Sequence, residues 1–569
     1  MENQNNLLIA IVLSIIILIS YNMLYEAPRK DAMQQTAFAE KLASESGAAK
    51  APKAETAAAP VAKDRATLIA ADRRVRIDTP EIEGSIRLKG ARLDDVVLKN
   101  YKTSVAPDAK KIMLLSPAGS AEPNQPYYTE TGWLAANMAV PTDETEWKAD
   151  GDKLTPERAL HLSWNNGQGL TFERTIEVDK DFLFTVTDRV KNDTANTVTL
   201  YPFGLISRHG AHPSNDQEGP LGVLGGTLKE YKFKDMASEG KKSFESDGGW
   251  LGVGDKYWLV ALVPPQADKI AATFTYTQGA DQDPAHGTFQ SDFRSTPISV
   301  AAGASAEKQI RVFAGAKRVR LFDRYTDTLS LPHFDRAIDF GWFYFLTKPF
   351  LYLMDYLGEW LGNYGLAILA LTVLLKAVTY PLSAKSYIAM AKMKDLQPEI
   401  KKIQDKYKDD QQRMAAETMA LYKREKTNPM SGCLPIFIQI PIFFALYKVL
   451  SVNIELRQAD FYGWIHDLSM PDPTSVWNLF GLISFQPDFL PALGVWPILM
   501  GISMYVQQIL SPQPPDKNQA RIFKFMPILF TFMMAQVASG LVIYWTLGNI
   551  LGLLQQWTII KHHGQKKPA

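Results

Sequence analysis

The chain has 569 residues with one cysteine, 46% hydrophobic and 21% charged residues, and 61 Lys and Arg against 60 Asp and Glu, a formal net charge of +1. That length calls for two or more domains. A single cysteine excludes a disulfide-stapled fold and a cysteine-based zinc site, and the balanced charge excludes a strongly basic nucleic-acid binder, so no DNA partner is expected. The average conceals two unlike parts: residues 1–335 hold 39 basic and 44 acidic residues, a net of −5, whereas residues 336–569 hold 22 and 16, a net of +6.

Residues 7–25 (LLIAIVLSIIILISYNMLY) are uncharged and about long enough to span a bilayer. No basic stretch precedes them and no small-residue cleavage site directly follows, so a retained anchor over 1–25 is preferred to a cleaved signal peptide. Residues 26–66, rich in Ala, Lys, Glu and Pro, read as a flexible linker, with a lone helix as the alternative. Residues 67–333 show period-two alternation. In TFERTIEV, Phe172, Ile176 and Val178 share one parity, and in TFTYT Phe274 and Tyr276 face away from the threonines. FLFTVTDRV and KYWLVALV are further strands, divided by turn signals at Asn165-Asn166-Gly167 and Pro264-Pro265. A large β-sandwich is expected. His209 and His212 form an H-x-x-H, which in a polar loop is a weak metal signal. The glycines of GGWLGVGDKYW, flanked by Asp247 and Asp255, follow no dinucleotide-binding pattern. A binding or scaffolding domain is expected, not a catalyst.

Residues 334–361 mix Trp342, Phe343, Tyr344 and Phe345 with scattered charges. They predict an amphipathic helix at a membrane surface, with a core helix of the β domain as the alternative. A transmembrane helix is expected over 362–381. Over 382–430, apolar residues at steps of three and four (Met390, Met393, Leu396, Ile400, Ile403, Tyr407, then Met414, Leu421, Tyr422) predict an antiparallel helical hairpin turning near 408–410. Residues 431–569 hold four more apolar segments, 431–451, 491–510, 525–539 and 541–560, and a short basic tail.

With the anchor, six spans are counted. The loop 382–430 carries eleven Lys and Arg, and the loop 511–524 carries Lys517, Arg521 and Lys524, whereas 452–490 has only Arg457 against five acidic residues. The positive-inside rule places the basic loops and both termini in the cytoplasm and the β domain outside. The first span, with Glu2 before it and Arg29 and Lys30 after it, points locally the other way.

Lys376, in LAILALTVLLKAVTYPL, is an intramembrane charge with Thr372 one turn before it. Such a cation costs about 2.5–3.5 kcal/mol at mid-bilayer, which is usually tolerated for function. Snorkelling to the headgroups from near Pro381 is the competing reading. Gln439, Gln536 and Asn549 are polar and fall in three other predicted spans, and no span contains an acidic residue. That combination suggests a wet cavity awaiting an anionic partner and argues against a proton relay.

The segments NPMSGCLPIFIQIPIFFALYKVL (428–450), LQPEI (396–400), ELRQADFYGWIHDLS (455–469) and SGLVIYW (539–545) resemble, in order, the signatures of the YidC/Oxa/Alb membrane protein insertases. The anchor and large outer domain resemble the Gram-negative form. The resemblance implies a five-helix insertase core plus an N-terminal anchor in the bacterial inner membrane, with a periplasmic β-supersandwich similar to sugar mutarotases in fold only. It implies a hydrophilic groove in which Lys376 stands where many members have Arg, a point charge without the planar fork. Client contacts are implied for Thr372 and for the pair Tyr544-Trp545, where the family often has Tyr-Tyr. The implied partners are nascent integral membrane proteins, the Sec translocon with its accessory subunits, the translating ribosome and membrane lipids. No cofactor or metal is implied. A secondary transporter is the rival function, but paired broken helices in two similar halves are missing from the sequence. A membrane-anchored envelope enzyme lacks a catalytic constellation.

Overall fold

The computed structural model describes residues 63–564, except 122, 124, 211–218, 280–285, 409, 426, 428–433, 484, 486–491 and 511–516. The predicted anchor 7–25, most of the linker 26–66, His212 and Cys433 therefore lie outside the described residues. The chain forms two compact units, Met1–Ile338 and Asp339–Ala569.

The first unit is built on an 11-stranded and a nine-stranded sheet. It begins at α1 (Arg65–Ala71), capped by the Asp64 carboxylate accepting from Ala66 N–H at 3.0 Å. Neighbouring Lys63 exchanges backbone hydrogen bonds with Gly119 and Ala121. The alternation read in TFERTIEV is real. Leu170–Val178 pairs antiparallel with Leu183–Asn192, setting Phe172 opposite Val190 and Ile176 opposite Val186, all buried. The Asn-Asn-Gly turn is held by Asn166, whose side-chain oxygen accepts from Gln168 and Leu170 N–H, and Gly167 has φ +71°. Pro264-Pro265 marks the passage from Trp258–Val263 in one sheet to Lys269–Thr277 in the other.

The same parity that buries Phe172 and Ile176 also buries Arg174. Its guanidinium forms a two-pronged pair with Asp188 at 2.6 and 2.9 Å on the adjacent strand, and donates at 2.5 Å to Thr131 O of the other sheet. One buried, fully engaged cation thus ties the two layers together. Two short helices, α2 (Phe233–Glu239) and α3 (Val319–Leu329), complete the unit.

Phe334 belongs to this first unit. It is fully buried, with its ring centroid 4.6 Å from Phe322, 5.2 Å from Trp250 and 5.7 Å from Phe313. The expected helix over 334–361 is thereby corrected. Residues Phe334–Ala337 form a 3-10 turn in the aromatic core, and the helix itself, α4, spans Tyr344–Leu361. Aromatic density alone could not separate a core cluster from an interfacial stripe. On α4, Thr347, Leu351, Met354 and Gly358 are buried, whereas Phe345, Tyr356 and Trp360 are exposed.

The second unit continues with α5 (Tyr364–Lys406), α6 (Gln411–Arg424), α7 (Leu434–Val452), α8 (Val495–Leu510), α9 (Lys517–Met534) and α10 (Ser539–Gly564). Each of the five apolar segments from 363 onward coincides with a helix, though the bounds shift. Helix α5 passes through Pro381 and Pro398 and reaches about 65 Å, so the expected break at 381 is absent. It is long and apolar enough to cross a membrane. The C-terminal part of α5 and α6 pack together as two arms of a helical hairpin. Asp410 caps α6 by accepting from Arg413 N–H at 2.9 Å, and Leu396, Ile400 and Ile403 pack on Leu421 and Tyr422.

A buried carboxyl in the first unit gives a test. Asp292, on the strand Thr288–Ser295, is held up at about 6 by burial, opposed by a hydrogen bond from Gln290 and by nearby Lys241 and Arg294. Its folded value lies above the unfolded 3.8, so the ionisation penalty is absent below pH 4, grows up to about pH 6 and is complete above it. Asp292→Asn is expected to raise this unit's stability by about 3 kcal/mol at pH 7.5 and to change little at pH 4. Calorimetric unfolding of the full-length protein at both pH values checks this, and an equal effect at both would contradict it.

Candidate functional site

Lys376 lies on α5 against a strip of α10 that has no side chains. A Cβ placed on Gly548 would be 3.7 Å from Lys376 Cε, and one placed on Gly552 would be 3.8 Å from its Nζ. The tip of the lysine, the adjacent Cε and Nζ, therefore lies between Gly548 and Gly552, which are one helical turn apart on α10. The Tyr387 hydroxyl and the Gln507 amide nitrogen also approach Gly552, 3.3 and 3.6 Å from a Cβ placed there. Gln555 of α10 donates to the Lys376 carbonyl at 3.3 Å. Among the described residues the ammonium has no carboxylate partner.

The other predicted residues divide into three groups. Thr372 is fully buried, and its hydroxyl donates to Ile368 O at 2.6 Å within α5. Gln439 of α7 donates to the Tyr544 hydroxyl of α10 at 2.7 Å. Next to that pair, Trp545 packs edge-on to Phe443 (4.8 Å) and Phe530 (5.7 Å), beside buried Met500, Met534 and Val542. Asn549 is buried and donates to Ser503 of α8 at 3.0 Å, so it joins two helices.

Gln536 is a correction. It is exposed in the turn between α9 and α10, not inside a span. Helix α9 stops at Met534 because the following turn docks elsewhere: Ser539 and Gly540 N–H donate to Met470 O and Leu468 O at 2.7 and 3.0 Å. Tyr387, Gln507, Gly548, Gly552 and Gln555 were not singled out from the sequence. The available signal was the four-residue spacing of Gly548 and Gly552, which permits close approach of a neighbouring helix.

No group of three or more His, Cys, Asp or Glu able to hold a metal occurs among the described residues. His209 faces the Thr288 hydroxyl, with Nε2 at 3.0 Å.

A β-rich unit followed in sequence by a unit of apolar helices around a lysine defines a helical membrane protein with a folded extramembrane domain. Residues 356–567 match the family model of the 60Kd inner membrane protein, and residues 74–353 match that of the YidC periplasmic domain. The chain is 45% identical to the membrane protein insertase YidC of Methylorubrum extorquens (strain PA1), covering 99% of this chain and 96% of the relative. It is 44% identical to that of Bradyrhizobium diazoefficiens, covering 100% and 97%. Among solved structures it is similar to an active YidC insertase with its first transmembrane domain resolved (16% identity, TM-score 0.35, covering 85% of this chain and 92% of that one). It is also similar to a putative aldose 1-epimerase from Escherichia coli K12 (10% identity, TM-score 0.30, covering 43% and 99%). The chain belongs to the YidC family, inner membrane proteins with a periplasmic domain that act as membrane protein insertases.

The Asn549–Ser503 bond should act as interhelical glue. Asn549→Ala is expected to cost roughly 0.6–1.7 kcal/mol of stability. A double-mutant cycle with Ser503→Ala, read by unfolding of the purified protein in detergent, should show the two losses to be coupled. Strict additivity would rule the bond out as a contributor.

Proposed function

We propose that this chain inserts client proteins into the bacterial inner membrane by receiving their polar segments in a recess around Lys376, while their apolar helices move along the surrounding helices into lipid. The supporting observation is the Lys376 ammonium beside the glycine strip of α10, without a carboxylate among the described residues. A polar segment crossing hydrocarbon loses its hydrogen bonds to water at a cost of several kcal/mol per unsatisfied group. A cation and neutral donors part-way across offset that loss for an acidic segment, and burial of the client's apolar helix drives the final step. No nucleotide motif occurs in the sequence, so the driving force resides in the client.

The proposed topology has six transmembrane helices, the first over 7–25, with both termini and the α5–α6 hairpin cytoplasmic and the β unit periplasmic. Thr372, Gln439, Tyr544, Trp545 and Asn549 form the helix contacts that hold the recess and its client-facing surface. Gln536, in the outer turn, is no longer part of it. The Sec translocon and the translating ribosome are proposed partners, and the hairpin's exposed lysines suit anionic lipid or RNA.

Lys376→Ala is expected to reduce insertion of a single-span client with an acidic outer tail by about tenfold, the factor that 1.4 kcal/mol of lost attraction gives. Lys376→Arg should be mild. Protease protection of the client tail in vesicles carrying equal amounts of each variant measures this, and normal insertion by the alanine variant would sink the reading. In a Cys433→Ser background, a membrane-impermeant thiol reagent applied to the cytoplasmic face should label Asp410→Cys and not Met470→Cys. The reverse pattern would overturn the topology.

A further inference from the structure

The chain between α7 and α8 carries an apolar tip on a polar base. The base is built on Asp472, which is buried. Its Oδ1 accepts from Thr474 N–H at 3.0 Å, from the Thr474 hydroxyl at 2.6 Å and from the Trp464 indole N–H at 3.1 Å, and its Oδ2 accepts from Trp496 N–H at 2.9 Å. Val495 N–H donates to the Thr474 hydroxyl oxygen and Val476 N–H to Leu493 O, each at 3.0 Å. Residues 472–476 are thereby fixed to the first residues of α8, two of whose otherwise free N–H groups they satisfy.

Beyond this base, residues 476–485 (VWNLFGLISF) contain no charged residue. Val476–Gly481 is a kinked 3-10 segment in which Leu479 (φ +49°, ψ +46°) and Phe480 (φ +58°, ψ +33°) take the left-handed conformation. Large L-residues seldom adopt it, least of all two in succession. Phe480 N–H donates to Ser475 O at 2.8 Å and Ile483 N–H to Asn478 O at 3.1 Å, which holds the turn in place. The outcome is five large apolar side chains turned outward: Leu482 is 84% and Phe485 61% exposed, and Leu479, Phe480 and Ile483 are each about half exposed. Apolar exposure concentrated in this way marks a surface that is covered in use. Its position says by what. Helices α7 and α8 are apolar helices of an inner membrane protein, and the Asp472 base keeps the tip beside the start of α8, at the depth where a spanning helix meets the headgroups. A tip presented permanently, at a cost in backbone strain, suits a partner that is always there.

We infer that Leu479, Phe480, Leu482, Ile483 and Phe485 form a wedge that inserts into the acyl-chain region of the leaflet on which the α7–α8 loop opens, the outer leaflet in the proposed topology. The inference rests on the reading of α7 and α8 as spans and adds a lipid contact to the loop between them. Insertion of the wedge sets the depth at which the neighbouring ends of both helices are held.

The test uses the full-length protein in phosphatidylcholine and phosphatidylglycerol vesicles, with Cys433→Ser and one new cysteine carrying an environment-sensitive nitrobenzoxadiazole probe. At Leu482→Cys the probe is expected about 5–10 Å below the headgroup boundary. There it is quenched by a phospholipid with a nitroxide high on its acyl chain, and several-fold less by aqueous iodide than a probe at His466→Cys, an exposed position on the polar part of the same loop. Adding Phe480→Asp and Ile483→Asp to Leu482→Cys should bring iodide quenching up to the level at 466, because hydrocarbon expels charge. Equal iodide quenching at 482 and 466 in the protein without those charges would overturn the wedge. So would protection from iodide without quenching by the labelled lipid, which would mean that protein covers the tip, and so would protection that appears only when a client is added, which would make it a client-docking surface. Iodide reaching the 466 probe only from the cytoplasmic face overturns the topology, and the outer leaflet with it, whereas the lipid contact itself is overturned only by the results at 482.

Discussion

An ammonium group among apolar helices has to be given polar company, and the second unit is arranged around that constraint. Desolvating a cation is costly, and a carboxylate would be the usual remedy. The described part of this unit offers Lys376 neutral groups instead: the Tyr387 hydroxyl and the Gln507 amide near its tip. Neutral dipoles lessen the cost without cancelling the charge. A buried carboxylate would have cancelled it, as Asp188 does for Arg174.

The first unit resolves the same problem in the opposite way. Arg174 also sits on a buried face, but Asp188 meets it through two parallel hydrogen bonds and Thr131 O takes a third. Its charge is spent on joining the two sheets. A fully satisfied arginine and a lysine without a carboxylate among the described residues are two different answers to the same desolvation cost.

The sequence made some of this readable and hid the rest for identifiable reasons. The strands around Phe172 and Phe274 and the turn near Asn166 were legible because alternation and turn chemistry are local. So was the α5–α6 hairpin, through its three- and four-residue apolar steps and the Asp410 cap. Helix ends were harder. Apolar count could not show that α5 continues through Pro381, because a proline removes one donor without ending a helix that is supported on either side. Nor could it show that α9 stops at Met534, since the cause is a docking contact with residues 468–470, distant in sequence. The parity argument was blind to Arg174, whose burial depends on Asp188 fourteen residues away. Lys376 itself stood out as a charge in an apolar run. Tyr387 and Gln507 did not, because a tyrosine in mid-helix and a glutamine near a helix end are unremarkable until the fold brings both to Gly552.

The glycine pair bears on how closely α5 and α10 can lie against each other. Lys376 Cε and Nζ come within 3.7 and 3.8 Å of where Cβ atoms of Gly548 and Gly552 would stand, so a side chain larger than a methyl at either position would take the space that the lysine tip occupies. A guanidinium is planar and wider and brings its own fork of donors, whereas an ammonium is compact. The charge and the bare strip against which its tip lies are therefore fitted to each other.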